Sequence, residues 1–152
     1  MNKKRIEFLR SDFVQGFPAY CGFTVDHISE GRFETRLSVR SEHRQQDGFV
    51  HAGVIATMAD HTAGYAAYTL IPETSRILTI EFKINFFKPA VGHRLVCRST
   101  VISPGKSILV AESDLYSRPE TVEKQVARAT VTLMAVDSRR LTKVSKPAEK
   151  PS

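Results

Sequence analysis

Asp60 is the one acid in an otherwise uncharged stretch of the chain. Between His51 and Glu73 the sequence has no other Asp or Glu and no Lys or Arg. A helix that is apolar on all sides is typical of a protein core, where a polar group without a partner costs roughly 2–7 kcal/mol. The Asp60 carboxylate therefore either hydrogen-bonds a neighbouring backbone or hydroxyl group, or serves in proton transfer or nucleophilic attack.

His51, Ala52 and Gly53 stand where this helix would begin. The first turn of a helix has N–H groups without an intrahelical acceptor and carries the positive end of the dipole. The N–H of Ala52 or Gly53 could therefore hold a developing oxyanion, while a structural role for Gly53 is the alternative. Asp60 follows His51 by nine residues, about 13 Å of helix rise. A site that uses Asp60 and the helix start therefore requires two subunits.

The hydrophobic pattern predicts the elements that would position these residues. Periodic apolar residues indicate an amphipathic helix over residues 3–14. The run of small and apolar residues after His51 indicates a buried helix over 52–68, and Pro18 and Pro72 follow these two segments. Alternating and β-branched runs separated by turn signals predict six strands. They cover residues 20–28, 33–39, 78–86, 94–102, 107–116 and 122–136. We therefore divide the chain into an N-terminal helix (1–17), a main domain (18–137) and a basic disordered tail (138–152).

This order of elements predicts an α+β fold. The last four strands follow one another without helices, which excludes a doubly wound parallel sheet. A curved antiparallel sheet wrapped around one central helix fits the pattern. The edges of such a sheet need partners, and a homodimer that joins two sheets edge to edge would supply them.

Composition and charge narrow the function classes. The net charge of +6 comes mainly from the two ends of the chain, so we expect solvated tails and no nucleic-acid partner. The segment after His51 is apolar, but Asp60 and His61 at its centre argue against a membrane span. Cys21 and Cys97 form no metal-binding motif, and we expect two buried, reduced thiols. A signal peptide is not evident, so we expect a cytoplasmic protein without a metal.

The run QQDGFVHAG over residues 45–53, followed by TMAD over 57–60, resembles the signature of phenylacetate-degradation type (PaaI-like) acyl-CoA thioesterases, which have the hot-dog fold. The resemblance covers residues 20–136 and includes LTIEFKINFFKPA and the hairpin SPGKS. There are two departures from the family pattern. Ala52 stands where the family has glycine, and Gln45 stands where it usually has asparagine.

The resemblance implies an acyl-CoA thioesterase. The small side chains of the predicted helix over 52–68 would leave room for an aromatic or medium-chain acyl group. Asp60 would be the general base or nucleophile, and the Ala52 or Gly53 N–H of the other subunit would polarise the carbonyl. Gln45 would orient Asp60 or the attacking water, and Thr79 would lie beside the site. His51 either orients the loop or carbonyl or is structural.

The resemblance also predicts where coenzyme A would bind. Its phosphates and pantetheine would contact two segments, which contain Phe86, Phe87, Lys88, Pro89 and Ala90 in one and Ser103, Gly105, Lys106 and Ser107 in the other. No cofactor beyond the coenzyme A of the substrate is implied, and the expected assembly is a homodimer, paired further into a dimer of dimers. Two alternatives stay open: a non-catalytic acyl-CoA binding or regulatory module, and a hot-dog dehydratase or hydratase.

Overall fold

A computed structural model describes residues 1–141 and contains the predicted order of elements with one additional helix. In chain order they are α1 (Lys3–Phe13), α2 (Gly16–Cys21), β1 (Phe23–Ser29), β2 (Arg32–Ser38), α3 (Ala52–Tyr68), β3 (Ser75–Phe86), β4 (Arg94–Pro104), β5 (Ile108–Arg118) and β6 (Lys124–Asp137). Short 3-10 turns cover Ser41–His43 and Ser138–Arg140. The predicted tail, 138–152, begins with the second of these turns, and from residue 142 it lies outside the described residues.

The strands form one antiparallel sheet with the order β1-β2-β4-β5-β6-β3. Strand β3 follows β2 in the sequence but lies at the opposite edge, because α3 carries the chain across the inner face of the sheet. A bulge in β3 falls between Thr79 and Glu81. This is the hot-dog arrangement, an α+β fold, and the fold prediction is confirmed.

Small residues let α3 lie close to the curved sheet. Its buried side chains include Ala59, Ala63 and Ala66. Two hydroxyl contacts tie the helix to the strands. Thr62 hydrogen-bonds Thr35 at 2.8 Å, and Ser113 donates to the carbonyl of Ala59 at 2.8 Å. Because each of these buried polar groups has a partner, the bonds offset the cost of desolvation and fix the position of α3.

The prediction of a strand from residue 20 was wrong. Residues Gly16–Cys21 form α2, and Pro18 lies inside it as its third residue. The first turn of a helix tolerates proline, because its N–H groups have no intrahelical acceptor there. Gly22, with φ +82°, ends the helix. Cys21 and Cys97 are free and buried, as expected.

Within residues 1–141, every helix is too short or too polar to cross a bilayer.

Candidate active site

Asp60 lies half-buried on α3 and faces the edge strand β3. The hydroxyl of Thr79 donates to Asp60 Oδ1 at 2.7 Å. Both residues line a cavity of about 260 Å³. The other lining residues are Asp12, His61, Gly64, Tyr65, Tyr68, Arg76 and Ile77. The carboxylate therefore borders an open space, and its second oxygen, Oδ2, accepts no hydrogen bond from residues 1–141.

Helix α1 closes one side of the Asp60 cavity. Tyr65 on α3 donates its hydroxyl hydrogen bond to Asp12 Oδ2 at 2.8 Å. Burial and the bond to Asp12 raise the pKa of Tyr65 well above its usual value, so it remains a phenol. His61 Nε2 donates to the carbonyl of Phe13 at 3.1 Å. Burial lowers the pKa of His61, although the Phe13 carbonyl, Asp60 and Asp12 oppose that shift.

His51 caps the start of α3. Its backbone is extended, and its Nδ1 accepts a hydrogen bond from the Gly53 N–H at 2.9 Å. A Cβ on residue 53 would lie 3.0 Å from His51 Nδ1, so glycine permits this close cap. The N–H of Ala52, the first helical residue, has no acceptor within residues 1–141. Of the two amides expected to hold an oxyanion, the Ala52 N–H is therefore the available one.

Ala52 and His51 border a second cavity, of about 560 Å³. The rest of its lining comes from the loop before α3, from α3 and from the segment after β3: Gln45, Gln46, Phe49, Val50, Ile55, Phe86, Phe87, Lys88, Pro89 and Ala90. Two backbone bonds hold its wall, from Val50 N–H to the Ala90 carbonyl at 3.0 Å and from His51 N–H to the His43 carbonyl at 2.8 Å. We call this space the His51 cavity, and the other the Asp60 cavity.

Gln45 lies in the His51 cavity. Its Oε1 accepts a hydrogen bond from the backbone N–H of Asp47, and its carbonyl accepts one from Gly48 at 3.0 Å. Gly48 has φ +85°, a conformation that favours glycine and explains the loop glycine of the motif. Gln45 thus stabilises its own turn and is not in contact with Asp60 of the same chain.

One chain does not bring the two halves of the predicted site together. The Asp60 cavity adjoins Thr79, near the start of β3, whereas the His51 cavity adjoins Phe86, at its end. The predicted coenzyme A residues are divided in the same way. Phe86 lies opposite Ala127, whereas the hairpin that holds Ser103, Gly105, Lys106 and Ser107 lies beside Met134, about 23 Å further along β6.

Comparison with known proteins places the chain in a family. Residues 47–124 match the model of the thioesterase superfamily, a segment that covers half of the chain and includes His51, Asp60 and Thr79. The chain belongs to the thioesterase superfamily. The match begins just before the His51 cap and ends at the start of β6, so α1 and α2 lie outside it.

Three known proteins illustrate what this thioesterase superfamily member is similar to. A thioesterase family protein from Silicibacter pomeroyi is 37% identical, with a TM-score of 0.84 over 87% of this chain and 98% of that one. A Halobacterium salinarum protein named only as an esterase is 25% identical over 121 residues, 76% of this chain and 80% of that protein. The medium/long-chain acyl-CoA thioesterase YigI of Escherichia coli is 26% identical over 98 residues, 56% of this chain and 61% of YigI.

The sequence analysis missed most of the wall of the Asp60 cavity. Along α3, Tyr65 follows His61 by four residues and Tyr68 follows Tyr65 by three. This is the spacing of one helix face, a signal that was available. Asp12 and Arg76 carry no such signal. They reach the cavity only because α1 packs on α3 and because β3 starts beside the end of α3.

Proposed function

We propose that this member of the thioesterase superfamily is an acyl-CoA thioesterase of the PaaI-like type. It would hydrolyse an acyl thioester to free coenzyme A and a carboxylic acid. The observation that carries the proposal is the Asp60 carboxylate, which is held by Thr79 at 2.7 Å and borders a cavity beside the edge strand β3. The similarity to YigI, whose name describes it as an acyl-CoA thioesterase, supports the substrate class.

Asp60 would start the reaction at the thioester carbonyl by one of two routes. As a general base, Asp60 Oδ2 takes a proton from water, whose oxygen attacks the carbonyl carbon. As a nucleophile, the same oxygen would attack directly and form an anhydride that water then hydrolyses. In both routes the carbon–sulfur bond breaks and coenzyme A leaves as the thiolate. The Thr79 hydroxyl orients the carboxylate for either route.

The carbonyl oxygen would be held by the Ala52 N–H of a second copy of the chain. Strand β3 is an edge strand with exposed apolar side chains, among them Ile80 (51% exposed) and Phe82 (38% exposed). Such an edge favours pairing with another strand. Antiparallel pairing of two β3 strands would bring the Phe86 end of one copy beside the Ser75 end of its partner. Each His51 cavity would then face the partner's Asp60 cavity, which supports a homodimer with two composite sites.

The same pairing would unite the two predicted coenzyme A segments. Lys88, Phe86 and Phe87 border the His51 cavity of one copy, and the hairpin that carries Lys106 would come from its partner. Two lysines beside turn amides suit the phosphates of coenzyme A. A stripe of Leu78, Ile108 and Met134, in cross-strand register on the outer face of the sheet, supports further association into a dimer of dimers.

Release of free thiol from a panel of aromatic, short-chain, medium-chain and carboxylate-ended acyl-CoAs tests the proposal. Wild type should turn over at least one member of the panel, and Asp60→Asn should lower kcat by about 10²–10⁴-fold, the range for loss of a general base. Asp26→Asn is the matched control, because it removes an exposed carboxylate on β1 outside both cavities.

The control variant should keep wild-type turnover. If no acyl-CoA releases thiol while acyl-CoA still binds, the hydrolase proposal is overturned in favour of a non-catalytic acyl-CoA binding module. If Asp60→Asn is as active as wild type, the role assigned to Asp60 is wrong.

A further inference from the structure

Arg76, which lines the Asp60 cavity, also borders a second space that holds two more basic side chains. A neighbouring cavity of about 490 Å³ is lined by Asn2, Lys4, Arg5, Phe8, Glu73 and Arg76. Arg76 lines this space and the Asp60 cavity alike. The two cavities therefore adjoin at Arg76, and we call this place the Arg76 junction.

The Arg76 guanidinium is only partly engaged by the protein. Its Nη1 donates to the Tyr68 hydroxyl and to the Ser75 carbonyl, the latter at 3.0 Å. Its carbon lies 5.6 Å from the centroid of the Tyr68 ring. Nε and Nη2 donate to no group of residues 1–141. The planar donor fork of an arginine suits a carboxylate, and part of this fork is free.

Arg5 adds a second, more deeply buried cation. Only 7% of Arg5 is exposed. Its Nη2 donates to the Tyr68 carbonyl at 2.9 Å, and its guanidinium lies 4.5 Å from the Tyr68 ring centroid. Tyr68 thus contacts both guanidiniums. Within residues 1–141, neither Arg5 nor Arg76 pairs with a carboxylate. A desolvated cation of this kind favours an anionic partner.

The acidic groups of the Asp60 cavity lie on α1 and in the middle of α3. Asp12 is bound by the Tyr65 hydroxyl and, at 3.3 Å, by the Gln15 side-chain amide. Asp60 is bound by Thr79. Along β3, Arg76 precedes Thr79 by three residues, about 10 Å of strand. Asp60 and Asp12 therefore border one part of this space, and Arg76 lies beyond them with Lys4, Arg5 and one carboxylate, Glu73, in the neighbouring cavity.

We propose that the acyl group of the substrate ends in a carboxylate, which the Arg76 fork binds while the thioester lies at Asp60. The substrate class is then the monothioester of coenzyme A with a dicarboxylic acid. This inference rests on the proposed thioesterase function. Arg76 lies within the family match, whereas Arg5 and Asp12 belong to α1, which lies outside it.

Binding to a variant that does not turn over separates this inference from the proposed function. In the Asp60→Asn background, calorimetry compares dicarboxylic monothioesters, from succinyl-CoA to suberyl-CoA, with straight-chain acyl-CoAs of the same chain lengths. The best dicarboxylic member should bind more tightly than its chain-matched partner. Adding Arg76→Gln should weaken its binding about 10- to 100-fold, the equivalent of a charge-assisted hydrogen bond, and leave the monocarboxylic member almost unaffected.

Two further variants distinguish a specific loss of carboxylate binding from a general loss of affinity. Tyr68→Phe removes the hydroxyl that holds Arg76 and should reduce the preference for the carboxylate partially. Arg32→Gln removes an exposed cation of β2 that lines neither the Asp60 cavity nor the neighbouring cavity at Arg76. It should leave the preference for the carboxylate intact. Equal affinity for both series, or an equal loss for both in Arg76→Gln, would overturn the inference, whether or not the wild-type enzyme hydrolyses thioesters.

Discussion

At the scale of single residues, the hydrogen bond between Gly53 and His51 separates the roles of two neighbouring amides. The Gly53 N–H is used in the cap, at 2.9 Å from His51 Nδ1. The Ala52 N–H has no acceptor within residues 1–141, and Ala52 borders the His51 cavity. The replacement of the usual family glycine by Ala52 is therefore compatible with an oxyanion role, because that role needs only the backbone.

The substitution Ala52→Pro removes the backbone N–H of residue 52 and should preserve the helix. Proline is favoured as the first residue of a helix, and the extended backbone of His51, with φ −62° and ψ 136°, suits a residue before proline. We expect the helix content by circular dichroism to be unchanged and kcat to fall about 10²–10³-fold, the effect of losing one oxyanion donor.

Lys3→Pro is the matched control, since Lys3 is the first residue of α1 and is exposed. It should leave turnover unchanged. Full activity in Ala52→Pro would show that the carbonyl is polarised by another group.

Sequence patterns identified some of the site residues and missed others, for physical reasons. Asp60 could be identified from the sequence because a single charged residue in an apolar helix is energetically costly unless it has a role. Thr79 could be placed beside it only by the family resemblance, because a strand threonine has no signal of its own. Arg76 was missed, since its place depends on how β3 begins against the end of α3, a contact between residues with no shared local pattern.

At the scale of elements, a buried histidine of α3, His61, ties α1 to that helix. His61 Nε2 donates to the Phe13 carbonyl, and the rings of Phe13 and His61 lie 4.3 Å apart. His43 is buried in a similar way. Its Nε2 donates to the Cys21 carbonyl at 2.8 Å, and its Nδ1 accepts a hydrogen bond from the backbone N–H of Arg40 at 2.9 Å. Burial lowers the pKa of both histidines.

We therefore expect the protein to lose stability in mild acid. Below the ordinary histidine pKa of 6.5, the unfolded chain binds protons that the folded chain excludes, so the free energy of unfolding falls as the pH drops from about 7 to 5. Urea unfolding at several pH values measures this dependence. His61→Gln should make it shallower, whereas His27→Gln, which removes an exposed histidine of β1, should not. An unchanged slope in His61→Gln would contradict this account.

The elements themselves were predictable where one sequence signal is continuous and clearly bounded. The bounds of α3 agree with the predicted 52–68, because the run of small and apolar residues starts after His51 and is stopped by Pro72. Helix α2 was missed because its six residues include a proline and are too short to show a period. The position of β3 at the far edge of the sheet was equally out of reach, since strand order depends on how α3 crosses the sheet.

At the scale of the whole molecule, the division of the site between two cavities makes the assembly part of the proposed mechanism. His51 and Ala52 border one cavity and Asp60 the other, at opposite ends of β3. The rise of α3 alone prevents one chain from uniting them. The central claim is therefore that each site takes Asp60 from one copy and the Ala52 N–H from its partner.

Mixing two inactive variants tests this claim most directly. Asp60→Asn and Ala52→Pro are unfolded together in equal amounts, refolded, and assayed for thiol release. A mixed dimer would hold one intact site, with Asp60 from one chain and Ala52 from the other. Random pairing in a symmetric dimer should then restore about a quarter of the wild-type activity. No recovery above the two variants alone, with mixed dimers verified by mass spectrometry, would contradict the shared site.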